Sequence, residues 1–272
     1  MAKLAVIQSV YKNDKPEYLR LSLDSILNQT FSDFDLYLGI DGPIGNELLD
    51  VINNLVDDRI IVVANKDNKG LAHILNDLLN LCSQKDYEFI ARMDSDDIAC
   101  NNRFEKQVCY MDNNPEVDVL GGAINEIDEK GNNRNHTVRY PCTSEECRKF
   151  FSKRNPVAHP TVLFRKRFFD KIGMFYPTNF VRNEDTELWL QGFLHGAVIV
   201  NVPDVLLNFR VTEDMFKQRR NGREFAKSQL KLRKLINMQL GYGFIATIYA
   251  YAMYFLMIAP SWLRKLAYKI MR

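Results

Sequence analysis

Across the first hundred residues, the apolar positions switch between two periods. Leu4–Val10 (LAVIQSV), Asp35–Ile40 (DLYLGI), Arg59–Ala64 (RIIVVA) and Tyr87–Met93 (YEFIARM) are short apolar runs. The third is apolar almost throughout, which predicts strands covered on both faces. Between the runs the spacing predicts helices. PEYLRLSLDSILNQ puts Pro16 in a first turn and repeats Leu19, Leu23, Ile26 and Leu27 on one side. NELLDVINNLV and GLAHILNDLLNLC repeat the pattern. Strand–helix alternation predicts an α/β fold, a mostly parallel sheet with helices on both faces. Ligands of such sheets bind outside the carboxyl ends of the strands. Tyr11, Asp41, Asn65 and Asp94 lie at or just past those ends and are expected on one rim.

The fourth run ends in Asp94-Ser95-Asp96-Asp97. Carboxylates this close repel one another. A divalent cation removes that repulsion, and Mg²⁺ or Mn²⁺ suits oxygen ligands and substrate phosphates. The plainer reading is an Asp-rich turn capping a helix that starts near Asn101. A calcium loop is excluded: with Asp94 first and Glu105 twelfth, Ile98 and Ala99 occupy the places of an oxygen ligand and the turn glycine.

The chain has 272 residues, enough for one large domain or two small ones. Its net charge of +2 is too near neutral for a nucleic-acid binder, so no nucleic-acid partner is expected. Five cysteines without a C-x-x-C pair predict a reduced chain with no zinc site. The N-terminal apolar run is too short for a signal-peptide core and reads as the first strand.

SVYKNDKPEYLRLSLDSILNQTFSDFDLYLGIDG, NKGLAHILN, ARMDSDD, VAHPTVLFRK and NEDTELWLQG occur in that order over most of the chain. The set resembles the family 2 inverting glycosyltransferases of the GT-A fold, of the bacterial O-antigen and capsule type. The resemblance implies a Rossmann-like nucleotide-binding sheet. It implies that Ser9 and Tyr11 line the base pocket and that Asp41 accepts a hydrogen bond from uracil. The family often has two acidic residues and a serine there, whereas this chain has IDGPIG. Lys66 and Gly70 would pass under the nucleotide and donor sugar, and Arg92 would contact the diphosphate. Asp94 and Asp96, flanking Ser95, match the Asp-x-Asp pair that holds Mn²⁺ or Mg²⁺ and the ribose, with Asp96 the direct metal ligand.

Transfer from a sugar nucleotide builds charge on a diphosphate leaving group, which a cation or Arg/Lys stabilises where water is excluded. The attacking hydroxyl must also lose a proton to a base on the opposite face of the sugar. By family match that base is Asp185, in a single displacement. The plainer reading of Glu184-Asp185 is an acidic first helical turn. His159, Glu184, Trp189 and Arg210 are further candidate donor or acceptor contacts; His159 reads equally as a loop-shaping residue. Near Arg210, Phe209 and Thr212 stand where the family has Tyr and His.

Leu240–Ala259 is twenty residues without a charge, flanked by Lys227, Lys231, Arg233 and Lys234 before it and Arg264, Lys265, Lys269 and Arg272 after it. Ser261–Arg272 reads as a basic amphipathic helix with Trp262, Leu263, Leu266 and Ile270 on its apolar side. A helical hairpin on the cytoplasmic leaflet is expected. A single span, and a helix buried in the core, are the alternatives. The expected domains are 1–225, catalytic, with a nucleotide-sugar half (1–100) and an acceptor half (101–225), and 226–272, membrane-associating.

The expected reaction moves a hexose or N-acetylhexosamine from a UDP-sugar to a saccharide on undecaprenyl diphosphate. The expected place is the cytoplasmic face of a bacterial inner membrane, with the protein peripheral or monotopic. Two other classes stay open. A metal-dependent nucleotidyltransferase would carry a glycine-rich basic loop after the first strand, and SVYKNDKPEY has no glycine. A catalytically silent scaffold would not need intact Asp94, Asp96 and Asp185.

Overall fold

The four apolar runs become strands β1 (Leu4–Val10), β2 (Phe34–Ile40), β3 (Ile60–Ala64) and β4 (Phe89–Met93). The computed structural model describes residues 2–173, 175–180, 182–212 and 223–260. Side chains alternate across a strand, and β1 uses both sides. Leu4, Val6 and Val10 enter one core layer, and Ala5 and Ile7 enter the other. The first layer is closed by α1 (Pro16–Leu27), α2 (Asn46–Asn53) and α4 (Arg103–Asn113). The second is closed by α3 (Leu71–Ser83), α5 (Ser144–Phe151), α6 (Arg167–Ile172) and α7 (Glu184–Leu194). The expected α/β fold with helices on both faces is therefore present.

Two strand expectations are corrected. β3 is an edge strand that pairs with β2 alone along the sheet, and Val62 is 47% exposed. An apolar run marks coverage on both faces for an interior strand; at an edge nothing lies beyond to complete it. The sheet is also only half parallel. With β5 (Ile98–Ala99), β6 (Val119–Ile127), β8 (Leu163–Arg165) and β9 (Ile199–Arg210), its order is β3-β2-β1-β4-β8-β6-β9-β5. β7 (Asn133–Val138) hangs on β6. The first four strands are parallel. β8 then runs antiparallel to both β4 and β6, while β6 and β9 are parallel to each other. Pairing between residues this far apart in the chain leaves no local periodicity to read.

β9 shifts register against β6 around Ala123, and its last residues run beside β5. This carries Arg210 to the turn that follows β4.

α8 (Arg223–Gln239) and α9 (Phe244–Ile258) pack on each other, joined through Gly241 at φ +71°, a left-handed conformation suited to glycine. Leu232 and Ile236 of α8, with Leu240 just beyond it, join the core layer that contains Trp189. The expected boundary at 226 thus falls inside a helix built into the catalytic body. α9 is different: Phe244, Ile245, Ile248, Tyr251, Phe255 and Ile258 are exposed. No helix among the described residues is long and apolar enough to cross a membrane. At ~1.5 Å per residue, α9 spans about 22 Å, short of the ~30 Å hydrocarbon layer. The uncharged stretch opens with the non-helical residues 240–243, which leaves only α9 within it and no single span there. The amphipathic segment expected at 261–272 lies outside the described residues.

Candidate active site

Parallel register puts the ends of β1, β2, β3 and β4 on one rim: Val10 pairs Ile40, Ile40 pairs Ala64, and Gln8 pairs Met93. The acidic turn sits at that rim and is fastened from several directions. Arg92 grips the Asp94 carboxylate with both terminal nitrogens, Nη1 at 2.8 Å from Oδ2 and Nη2 on Oδ1. The Asp94 carbonyl accepts from Gln8 Nε2 (3.0 Å) and Ser22 Oγ (2.8 Å), both fully buried side chains. Ser95 Oγ donates to Asp14 Oδ2 at 2.9 Å, and the same oxygen accepts from the Tyr11 amide at 3.0 Å. This ties the loop after β1 to the turn. The Arg210 amide donates to Asp97 Oδ1 (2.8 Å), its Nε to the Asp96 carbonyl (2.8 Å), and its guanidinium lies 4.1 Å from the Tyr18 ring centre.

Carboxylate oxygens of Asp94, Asp96 and Asp97 lie within 4.8 Å of one another. Asp97 is buried, and its Oδ2 accepts no hydrogen bond among the described residues. Burial, then the charges of Asp96 and Asp94, push the Asp97 carboxyl well above the usual carboxylate range. Three hard oxygen donors held close together, one of them on a buried carboxylate with an oxygen that accepts no hydrogen bond among the described residues, fit Mn²⁺ or Mg²⁺.

On the side where the nucleotide is expected, Ser9 and Tyr11 are half-buried and Lys66 is exposed. Asp41 is buried and already engaged. Its two oxygens accept the Lys69 and Gly70 amides, each at 2.9 Å, and its carbonyl accepts from Asn68 Nδ2 at 2.9 Å. Gly42 allows this approach: with φ +82°, it leaves no room for a Cβ, which would fall 2.5 Å from the Asn68 nitrogen. Asp41 therefore holds the loop before α3, and each oxygen keeps one lone pair for a base.

On the far side, α7 opens with Glu184 and Asp185. Asp185 Oδ2 accepts from Asn155 Nδ2 (2.8 Å), and Oδ1 accepts from the Thr186 amide (2.6 Å). Burial raises the Asp185 carboxyl above the usual range, against those hydrogen bonds and the Arg92 charge. Burial and then Asp185 lift Glu184 to about 7. Arg92 is thus the common neighbour: it grips Asp94, and its charge acts on Asp185, Glu184, His159 and Tyr176. The two acidic signatures converge around it.

Four expected contacts are buried. Arg92 is almost wholly buried, and both its terminal nitrogens donate to Asp94, so it holds that carboxylate in place. Trp189 is 0% exposed and stacks on Phe164 at 5.9 Å between ring centres, so it is core. Arg210 is a buried clamp on the Asp96–Asp97 backbone. His159 is buried with Nε2 2.8 Å from the Tyr176 hydroxyl, and burial, then the Arg92 charge, holds it well below the usual histidine range.

Sequence reasoning missed the supports: Gln8, Ser22, Asp14, Arg103, Gln107 and Asn155. Two signals were present. Gln8 is a fully buried polar residue in the mostly apolar β1. Arg103 and Gln107 share the buried face of α4 with Phe104 and Val108. There Arg103 Nε donates to Gln107 Oε1 (2.9 Å) and Nη2 to the Arg92 carbonyl (2.9 Å), directly beneath the site. Asn155 and Asp14 sit in loops without such a signal.

The sequence pattern of glycosyl transferase family 2 matches residues 6–173. The chain is 35% identical over 249 residues to the amylovoran biosynthesis glycosyltransferase AmsE of Erwinia amylovora, covering 90% of each. It is 30% identical over 234 residues to an Escherichia coli UDP-Gal:alpha-D-GlcNAc-diphosphoundecaprenol beta-1,3-galactosyltransferase, covering 84% of this chain and 81% of that one. The fold is similar to that of S. aureus TarS residues 1–349 in complex with UDP-GlcNAc. There the TM-score is 0.65 at 18% identity, over 94% of this chain and 70% of that one. With the family pattern over more than half its length and a 35% identical relative covered to 90%, this chain belongs to glycosyl transferase family 2.

Proposed function

We propose that the protein transfers a hexose or N-acetylhexosamine, with inversion, from a UDP-sugar to a hydroxyl of a saccharide carried on a polyprenyl diphosphate, in bacterial surface polysaccharide synthesis. The observation that carries this reading is the convergence of the Asp94–Asp97 turn and Asp185 around Arg92. The UDP moiety draws support from the ligand of the TarS complex and from the activity for which the E. coli relative is named. The lipid diphosphate draws support from that relative, and the polysaccharide from AmsE.

Ser9, Tyr11 and the Asp41-held loop with Lys66 and Gly70 take the nucleotide. Asp96, with Asp94 and Asp97, would hold Mn²⁺ or Mg²⁺. The bound cation supplies positive charge to the diphosphate as it leaves. Asp185 accepts the acceptor hydroxyl proton while the new C1–O bond forms and the C1–O bond to the diphosphate breaks. Its burial-raised pKa makes it a stronger base than a surface aspartate. A panel of UDP-sugars with Mn²⁺ and a diphosphate-linked acceptor, scored for UDP release and product, tests the reading. One sugar should dominate. Activity confined to a sugar 1-phosphate and a nucleoside triphosphate would make the protein a nucleotidyltransferase instead.

We infer that the protein works at the cytoplasmic face of the inner membrane, docked through α9. The support is the exposed stripe Phe244, Ile248, Phe255 beside a groove of about 350 Å³ lined by Lys227, Lys231, Lys234 and Tyr254. Apolar side chains and adjacent ammonium groups together suit an anionic bilayer surface, each Lys adding about 1 kcal/mol. The double variant Ile248→Asp, Phe255→Asp should lose at least about tenfold in affinity for anionic vesicles, since each side chain contributes roughly 1.5–3 kcal/mol when buried. Its melting temperature should hold, because both side chains are exposed. Unchanged sedimentation with vesicles would overturn the docking. Truncation after Gly243 removes α9 and spares α8.

A further inference from the structure

α8 reaches the candidate base through two hydrogen bonds. Arg233 donates from Nη1 to the Phe151 carbonyl at the end of α5 (2.8 Å) and from Nη2 to Asn155 Oδ1 (3.3 Å). Asn155 Oδ1 also accepts from Thr186 Oγ1 at 3.0 Å, and Asn155 Nδ2 donates to Asp185 Oδ2 at 2.8 Å. The chemistry of these groups fixes the order. A guanidinium only donates, so the amide must turn its oxygen toward Arg233 and its NH₂ toward the carboxylate. The Thr186 hydroxyl can donate or accept, so it does not choose between the two amide orientations. Asp185, which only accepts, favours the same orientation from the other side, so Arg233 adds the second anchor; without it the amide oxygen loses its cationic donor and the amide is held from the Asp185 side alone.

We propose that Arg233 and Asn155 are positioning residues for the reaction: Arg233, carried by α8, orients the Asn155 amide, and the amide aims the Asp185 carboxylate. This rests on Asp185 being the base. Leu232 and Ile236, on either side of Arg233 in α8, are fully buried, so the seat of that helix sets the reach of the guanidinium. Burial lowers Arg233 to about 10, with the Asp185 charge opposing, so it stays cationic at neutral pH. The charged and titratable groups facing Asp185 are Glu184 on its own helix, Arg92 from β4, Tyr176 from the loop before α7, and Arg233 from α8. Arg233 is the one that bonds the amide in contact with it.

The test is a set of double-variant cycles on the full chain, reading kcat and donor KM with saturating acceptor. Arg233→Met and Asn155→Ala should each lower kcat by about 10–100-fold, the scale of a misplaced catalytic group, with donor KM within about twofold. In an Asp185→Asn background, neither should lower kcat further, because both act through that carboxylate. The Arg233→Met, Asn155→Ala double variant should be no slower than Asn155→Ala alone. Multiplying effects in these cycles, or wild-type kcat in both single variants, would overturn the proposal. If Arg233→Met fails to fold, the Asn155→Ala and Asp185→Asn cycle decides the same question, since Asn155 lies in a loop. Near-normal turnover in Asp185→Asn alone would instead remove the base assignment, an outcome distinguishable from failure of the relay.

Discussion

Replacing Asp185 with Asn should lower turnover by about 10²–10⁴-fold, the usual contribution of a general base. The change is nearly isosteric, and the new amide oxygen can still accept from the Thr186 amide, but its NH₂ then meets the Asn155 NH₂, so the melting temperature should fall modestly while the fold holds. Donor KM should also hold, because the base serves the acceptor. The pH profile adds a second check. The Asp185 carboxyl is raised by burial, and the base works only when deprotonated. Turnover should therefore fall as pH falls, with an acidic limb above the range of an ordinary aspartate. Stopped UDP release across pH, with acceptor saturating, reads both. Near-normal turnover in the variant would assign the proton to another group, Glu184 first, since it is lifted to about 7 beside Asp185.

Excess EDTA should abolish turnover, and Mn²⁺ should restore it. Asp96→Asn should lose about 10²–10³-fold, the scale on which one stabiliser of developing charge acts. A readout independent of activity follows from the electrostatics. Three carboxylates within 4.8 Å repel, and Asp97 is buried with one oxygen unpartnered among the described residues. A cation that binds the folded turn relieves that repulsion, so Mn²⁺ should raise the melting temperature of the wild type. The rise should shrink in Asp96→Asn. Full activity in chelator, with no thermal response to Mn²⁺, would reduce the turn to a cap for α4.

Much of the site was legible because its parts are local in the chain. Strand ends carry Tyr11, Asp41 and Asp94 to one rim whenever the strands run parallel, and the first four do. The Asp-rich turn and the Glu184-Asp185 pair announce themselves by composition. The supports were hidden for the opposite reason. Ser22 and Asp94 are 72 residues apart, and Asn155 and Asp185 are 30 apart. No pattern within a segment encodes such a meeting.

The alternating periods thus determined the α/β class, the helix and strand positions of the first hundred residues to within a few residues, and the chemical type of the rim. Only the tertiary structure decided that β3 is an edge and that β8 runs antiparallel. It alone decided that the Arg92 guanidinium grips Asp94, that Trp189 is core, and that α8 packs into the core while α9 turns its apolar side outward. The physical reason is common to all of these. Hydrophobic period reports how much of a segment is covered, a property each residue carries along the chain. What covers it, and which charge a buried guanidinium meets, depends on segments brought together only by folding.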